Sequence, residues 1–274
     1  MWFVNAIFNI SIPIARGIIG FFILLWIVLL DLLYTLANLI LPRKRQIPAV
    51  WNEYIPPMST DSRSPCPALN ALCNHGVLPR DGKNVTLRDI AVAVNSHYNL
   101  SITTCELAVV LLAQELQKGL DDKIEMSSIA THNCGEHDAS LVRRDTYFQP
   151  DQSTPDKELI QEFFSSLKDG KRVTRADCRH ALTARLTNSA HTNPQFSLLS
   201  THVLIAAITA AHLIDTFGGD VSVLEPFLLD ERIPEGWMPV TRDRLGLTFT
   251  RHGLDAIIIY LGINPSWRAV KFQG

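Results

Sequence analysis

The sequence DSRSPCPALNALCNHGVLPRDG, residues 61–82, places one cysteine between two prolines, directly before a helix-forming run. Pro67 suits the first position of a helix, where a backbone N–H would have no partner, and Ala68 and Leu69 continue as good helix formers. The stretch therefore predicts a helix with Cys66 at its N-terminus, where free N–H groups and the helix dipole favour a thiolate. The alternative is a small buried cysteine that only fills space at the start of a helix.

The composition is that of an ordinary folded domain joined to one strongly apolar segment. The 274 residues are 47% hydrophobic and 19% charged, and the formal net charge is −2. No extended basic patch points to nucleic acid as a partner. The five cysteines are an odd number without a CxxC pair, which argues against a zinc site and against a disulfide framework.

The apolar segment, residues 17–41, holds 25 residues and a single charge, Asp31. A helix of this length can cross a hydrocarbon core of about 30 Å. We therefore expect residues 1–45 to form a single-pass membrane anchor and residues 46–274 to form the functional domain. A cleaved signal peptide and a helix lying in the membrane surface are the alternatives, and Asp31 keeps the second of these open.

The charges beside this segment predict its orientation. Three basic residues follow it at positions 43–45, whereas only Arg16 and the amino terminus precede it. The positive-inside rule therefore favours a domain on the cytosolic side of an endomembrane such as the endoplasmic reticulum. Two glycosylation sequons, at Asn84 and Asn99, point weakly to the lumenal side instead.

The remaining sequence predicts a mainly α domain. Capping-box patterns mark helix starts at Thr86, Thr103 and Thr174, and Thr154 with Pro155 opens a further helix. Few stretches alternate between apolar and polar residues as strands do. Further helices are predicted within residues 196–217, 221–233 and 254–263.

Residues 61–82 resemble the heme-thiolate peroxidases, the family of chloroperoxidase and the unspecific aromatic peroxygenases. The resemblance rests on Pro-Cys-Pro at 65–67, Leu-Asn at 69–70, Asn-His-Gly at 74–76 and Pro-Arg-Asp-Gly at 79–82. It implies a single, largely helical domain that holds one buried heme.

A second block, EHDASLVRRD at residues 136–145, matches the Glu-His-Asp-x-Ser core of the same family. Weaker similarities follow in NPQFSL at 193–198 and in DERIPEGW at 230–237. Because the blocks occur in the family's order, the resemblance extends over about residues 50–265, nearly all of the chain after the apolar segment.

The resemblance implies that Cys66 is the proximal ligand of a heme b, with Pro65, Pro67 and Asn70 in the cofactor-binding segment. A thiolate ligand favours cleavage of the O–O bond of a peroxide on the opposite heme face, and hydrogen bonds to the sulfur tune this donation. A structural cysteine is the alternative.

The second block implies a cation site and a distal group. Glu136 and Ser140 match positions that bind magnesium beside a heme propionate, together with the backbone carbonyl of His137; the alternative is a surface acid and a cap. His137 matches a distal-side histidine, and Asp138 is expected to orient its ring through the carboxylate. A solvated loop histidine is the alternative.

One family feature is missing. The glutamate that handles protons during peroxide cleavage is expected at or near Thr209, and residues 178–214 contain no Asp or Glu. His212, and also His202, share a helical face with Thr209, so we expect His212 as a candidate catalytic group. A satisfied core histidine is the alternative.

Two functions follow from these residues. The first is a membrane-anchored heme-thiolate peroxidase or peroxygenase that oxidises a small hydrophobic substrate with hydrogen peroxide in fungal specialised metabolism. The second is a heme-binding homologue with degraded peroxidase activity, acting as a binding protein or a non-redox catalyst, because the acid–base glutamate is missing. A purely structural membrane protein would require both main sequence blocks to be coincidental.

Overall fold

The computed structural model describes residues 13–44, 50–133 and 135–269, and for residues 13–19 and 269 it describes the backbone alone. Residues 1–12 of the expected anchor, Arg45 of the basic run and Cys134, one of the five cysteines, lie outside the described residues. Nine α-helices account for most of the described chain: α1 Pro13–Ile40, α2 Pro67–Asn74, α3 Leu87–Tyr98, α4 Ile102–Leu116, α5 Lys157–Ser165, α6 Arg175–Thr192, α7 Ser200–Asp215, α8 Val221–Asp230 and α9 Phe249–Leu261. The expected mainly α fold with one N-terminal apolar helix is confirmed.

The strands and the short 3-10 helices are minor elements. Strands β1 (Val85–Thr86) and β2 (Lys123–Ile124) form one antiparallel pair in which Val85 lies opposite Ile124. Single 3-10 turns occupy Met126–Ala130 and Pro265–Ala269.

Local capping chemistry explains where most helices begin. Capping boxes at Thr86 and Thr174 start α3 and α6, as predicted. Two predicted starts are wrong. The cap of α4 is Ser101, whose side chain accepts the backbone N–H of Thr104, and the cap of α5 is Asp156. In both cases a nearby Ser or Asp offers the capping oxygen in place of the predicted threonine: Ser101 lies two residues before Thr103, and Asp156 lies two residues after Thr154.

The helices surround one core, and α7 lies at its centre. Helix α9 packs along α7, α6 packs against both, and α3 pairs with α4. The short helix α2 lies against α3 and α8. Five consecutive α2 residues after Leu69, ending at Asn74, are almost completely excluded from solvent, so the stretch that begins at Cys66 runs through the middle of the domain.

Helix α1 packs against α4 and α9. Within it, residues Gly20–Ile40 are long and apolar enough to cross a membrane, on length and composition alone. Its one acidic side chain, Asp31, is buried against the domain and accepts the backbone N–H of Thr250 at 2.7 Å.

The sequon at Asn99 is closed by the fold. Asn99 is buried, its amide donates to the carbonyl of Thr241 at 2.8 Å, and its oxygen accepts from Lys44 at 2.6 Å. A glycan on this nitrogen would require the site to unfold. One of the two sequence indications for a lumenal location therefore carries no weight in the folded protein.

Candidate active site

A mostly apolar cavity of about 370 Å³ opens among α2, α3, α4, α7 and the segment after Cys134. It brings together all three parts of the chain singled out in the sequence. The lining includes Pro65, Cys66 and Pro67 from the first block, Glu136, His137, Ser140 and Arg143 from the second, and Thr209 and His212 from α7. Apolar side chains of α3 and α4 complete the wall.

Cys66 occupies the N-cap position of α2, with Pro67 in the first turn, as predicted. Burial raises the pKa of the Cys66 thiol, while the backbone N–H groups of Leu69 and Ala68 and the charge of Arg143 act in the opposite direction. The Cys66 sulfur makes no side-chain capping hydrogen bond. The N–H groups at the start of α2 are therefore available to stabilise a thiolate. A metal cation at the cavity would supply the missing stabilisation of a thiolate.

Asn70 supports the cysteine loop and is not among the cavity-lining residues. Its amide donates to the carbonyl of Ser64 at 2.7 Å and to Glu231 at 2.8 Å, and its oxygen accepts the Ser64 N–H at 2.8 Å. Asn70 therefore positions the backbone two residues before Cys66 and acts on the site through the loop.

Arg143, which lines the cavity, and its buried partner Glu231 were not named by the sequence reasoning. The Arg143 guanidinium is fully buried, and its Nη2 donates to Glu231 at 2.7 Å, whereas its Nη1 is buried without a partner. Burial raises the pKa of Glu231, and Arg143 opposes this rise. A free cationic N–H at an apolar cavity is suited to an anionic group such as a carboxylate. Arg143 lies within the quoted block 136–145, and that was the only signal for it.

Glu136 is buried and presents one free oxygen. Its Oε2 pairs with His132 Nδ1 at 2.6 Å, and its Oε1 has no partner. Ser140 lines the same cavity, and His132, Glu136 and Asp138 lie close enough together to hold a metal ion. The oxygens of Glu136 and Ser140 suit a hard cation. The i, i+4 spacing of His132 and Glu136 was the unused sequence signal.

His137 lines the cavity, but Asp138 does not orient it in the predicted way. The ring Nδ1 donates to the backbone carbonyl of Asp138 at 2.8 Å, because a carbonyl can only accept. The Asp138 carboxylate instead accepts the backbone N–H of Ser197 at 2.9 Å, and burial raises its pKa to about 6. The chain turns at positive φ just after Asp138, at Ala139.

The hydrogen bond from His137 Nδ1 to the Asp138 carbonyl determines which ring nitrogen carries the proton. Burial lowers the pKa of His137, which favours the neutral ring. With the proton on Nδ1, Nε2 is a free acceptor. The ring of His202, buried on α7 with an unpartnered Nδ1, lies 5.9 Å from it between centroids.

Thr209 and His212 both line the cavity, as their shared helical face predicts. The Thr209 hydroxyl donates to the carbonyl of Ala206 at 2.9 Å. His212 stacks on His252 with 4.0 Å between ring centroids. Burial, and to a smaller extent the neighbouring His252, lowers the pKa of His212 well below its usual value. His212 is therefore a neutral ring at physiological pH.

Behind His212 lies a buried polar pair that the sequence did not reveal. His252 Nε2 donates to the carbonyl of Ile208, and its Nδ1 shares a proton with Asp215 at 2.7 Å. Since one proton must lie between Nδ1 and the carboxylate, this pair holds the ring that stacks under His212 in a fixed orientation.

Asp145, the last residue of the second block, connects that block to α6 and to the start of the NPQFSL stretch. Its carboxylate accepts from Ser189 at 2.9 Å, from Asn193 at 3.0 Å and from the backbone of Ala139 at 2.9 Å, and it pairs with Arg185. The start of the NPQFSL stretch is thus attached to the segment that carries His137 and Ser140.

A family model described as "Peroxidase, family 2" matches residues 52–242, which include every cavity residue discussed above. The chain belongs to this peroxidase family. Membership in this family implies a heme with a thiolate ligand. The predicted heme-thiolate peroxidase relationship is confirmed.

Several individual proteins are similar to parts of this chain. A chloroperoxidase of Leptoxyphium fumago is 36% identical over 97 residues, which cover 34% of this chain and 26% of that protein. An aromatic peroxygenase of Coprinellus radians is 28% identical over 158 residues, covering 51% and 60%. The dothistromin biosynthesis peroxidase dotB of Dothistroma septosporum is 27% identical over 212 residues, covering 71% and 51%. In each case the match spans less than two thirds of the relative's length.

Proposed function

We propose that this protein is a heme-thiolate peroxidase or peroxygenase that oxidises a small hydrophobic organic substrate with hydrogen peroxide. The observation that carries the proposal is the thiol of Cys66, held at a helix N-terminus on the wall of an apolar cavity that also presents unpaired polar atoms of Glu136 and Arg143.

The residues present suit a heme, and we propose that it is heme b. Cys66 would ligate its iron, with Pro65 and Pro67 restricting the loop around the sulfur. The free Arg143 Nη1 would bind a carboxylate of the heme. Glu136 Oε1 and Ser140 would hold a magnesium ion there. Bound in this way, thiolate-ligated heme supplies the two-electron oxidation of substrates by peroxide.

The chain's own proton acceptor is Nε2 of His137. The backbone of Asp138 holds the proton on Nδ1, so the neutral ring presents a free lone pair on a residue that lines the cavity. Among the described lining residues, Glu136 is the only carboxylic acid, and we assign it to the cation. His137 therefore takes the role that a glutamate at the Thr209 position would fill.

The substrate is expected to be apolar and small. The cavity wall carries Ile90, Val94, Leu112, Ile205 and Phe217, which offer contact area without directional polar groups. The relative dotB is named as a dothistromin biosynthesis peroxidase. We propose a comparable fungal setting, with the protein attached to an endomembrane through α1 and its domain on the cytosolic side.

The test of heme ligation is the absorption spectrum of the reduced, carbon-monoxide-bound protein. Wild type should show a strongly red-shifted Soret band, and Cys66→Ala should lose it. Cys73→Ala is the matched control, because Cys73 lies on the same helix, is fully buried and does not line the cavity. Folded wild-type protein without heme would overturn the proposal.

A second candidate function is a heme-binding protein without efficient peroxide chemistry, favoured by the threonine at position 209. Thr209→Glu separates the two, with Thr209→Gln as the control of similar size without the acid. A large gain in peroxide turnover from a near-zero start, in Thr209→Glu alone, would support the second candidate. Turnover by wild type that Thr209→Glu leaves nearly unchanged would support the first.

A further inference from the structure

Helix α1 lies along the domain over most of its length. The side that faces the domain runs through Ile23, Ile27, Asp31, Thr35 and Asn38, at the spacing of one helical face. At 1.5 Å per residue this contact is about 22 Å long. The helix therefore does not project from the domain as a free anchor.

Asp31 holds the middle of this contact. Its carboxylate accepts the backbone N–H groups of Phe249 at 3.1 Å and Thr250 at 2.7 Å, and the hydroxyl of Thr103 at 2.5 Å. The N–H groups of Phe249 and Thr250 belong to the first turn of α9, where the helix dipole favours an anion. The one charge of the apolar segment is thus satisfied by the domain.

The opposite face of α1 is apolar and exposed. It presents Phe21, Phe22, Leu25, Trp26, Leu29, Leu32, Leu33 and Leu36. Helix α9, which begins at the Asp31 contact, adds an outward stripe on the side away from its buried residues His252, Ala256 and Ile259. The stripe consists of Leu254, Ile257, Ile258 and Leu261.

A perpendicular crossing conflicts with these contacts. Asp31 lies near the middle of Gly20–Ile40, so a crossing α1 would carry the start of α9 to the centre of the bilayer. The ion pair of Arg251 with Asp243 follows directly after Thr250, and its arginine is exposed. Charged groups at this depth are costly.

We propose that α1 does not cross the membrane and that its outer face, together with the stripe of α9, forms one surface that rests in the lipid of a single leaflet. This inference rests on the membrane attachment proposed above and specifies its geometry. A one-sided apolar helix followed by basic residues is typical of helices that lie in the membrane surface, and Arg43 is exposed at the end of α1.

The arrangement brings the cavity close to lipid. Helix α4 lines the cavity with Ala108 and Leu112 and packs against α1, and α7 lines it with Ile205 and packs against α9. A lipophilic substrate dissolved in the leaflet would therefore reach the site past α4 and α7, the two cavity-lining helices that pack against α1 and α9.

The first test is topology, measured on full-length, heme-loaded protein in sealed microsomes with an N-terminal epitope tag. We expect the tag and the domain to be accessible to protease from the same side, with the protein resistant to carbonate extraction. A tag protected on the opposite side would show a crossing helix, and loss of the tag on maturation would show a cleaved signal peptide. Either result overturns the proposal.

The second test replaces Ile258 with the photoreactive residue p-benzoylphenylalanine, with Lys157 on α5 as the exposed control. The vesicles contain phosphatidylcholine and phosphatidylethanolamine with a minor fraction of phosphatidylserine. We expect a phospholipid adduct at Ile258 and none at Lys157. A cross-linked dimer at Ile258, or no adduct in vesicle-bound protein, overturns the assignment of α9. The heme spectrum of the same samples reports the proposed enzymatic function separately.

Discussion

The guanidinium of Arg143 donates a hydrogen bond to the carboxylate of Glu231, with 2.7 Å between Nη2 and Oε1, and both groups are buried. Asn70 donates to the same oxygen. Asn70, Arg143 and Glu231 come from three separate sequence blocks and meet next to the loop that carries Cys66. Their network connects this loop to the rest of the domain.

Glu231→Gln should destabilise the heme-loaded protein by about 3 kcal/mol or more, because it leaves the buried Arg143 charge without its counter-ion. Urea unfolding and the rate of heme loss would measure this effect. Asp230→Asn is the control, since this neighbouring side chain is exposed. Equal stability of both variants would contradict the network's role.

His137→Gln should lower peroxide turnover by about 10²–10⁴-fold, the usual contribution of a general acid–base group, while the heme spectrum stays that of wild type. The reason is the loss of the Nε2 acceptor at the cavity. Single-turnover kinetics with peroxide would measure the change. His180→Gln on the exposed face of α6 should have no effect, and an unchanged rate in His137→Gln would exclude the assignment.

Stability should fall as the pH drops below the ordinary histidine pKa of about 6.5. The pKa of His212 is lowered in the folded protein, so unfolding takes up a proton on this ring, and stability is fully present only above the unfolded pKa. The loss is about 1.4 kcal/mol per pH unit for each such histidine between its unfolded and folded pKa values. Urea unfolding across this range measures it. His212→Phe, which keeps a ring on His252, should reduce the slope, and an identical slope would contradict the assignment.

Asp31→Asn should lower the free energy of unfolding by about 1–3 kcal/mol, because the charged acceptor at the start of α9 is lost. Its neighbour Leu32 is exposed on the outer face of α1. Leu32→Asn should leave stability in detergent unchanged and weaken vesicle partitioning by about tenfold or more. Thermal unfolding and vesicle flotation of both variants would measure the two effects. If the two effects do not separate in this way, the two faces of α1 have been assigned incorrectly.

Chelation of divalent cations should weaken heme retention in wild type. Glu136→Gln should have the same effect and should make the protein insensitive to the chelator, because one of the two assigned oxygen ligands has lost its charge. Substitution with Mn²⁺ and electron paramagnetic resonance would detect the site directly. Glu125→Gln, an exposed carboxylate of the same region, is the control. Manganese binding that is identical in Glu136→Gln would place the ion elsewhere.

Much of the fold was accessible from sequence where the signal was local. The capping boxes at Thr86 and Thr174 place donor and acceptor three residues apart, and both formed as predicted. The start of α4 was mispredicted because Ser101 and Thr103 both offer a capping oxygen to the same turn. The Thr103 hydroxyl donates to Asp31 of α1, whereas the Ser101 side chain accepts the N–H of Thr104, so the earlier residue is the cap.

The sequence by itself determined the helix start at Cys66, since Pro67 and its neighbours act over a few residues, and it determined which residues face one side of α7. Only the tertiary structure decided that His137 is held by a backbone carbonyl, that Asn99 is closed to glycosylation, and that Asp31 caps a helix 219 residues away at Thr250. Such contacts depend on how distant elements pack. Neither helical periodicity nor local propensity records the direction in which a side chain meets a partner from the other end of the chain.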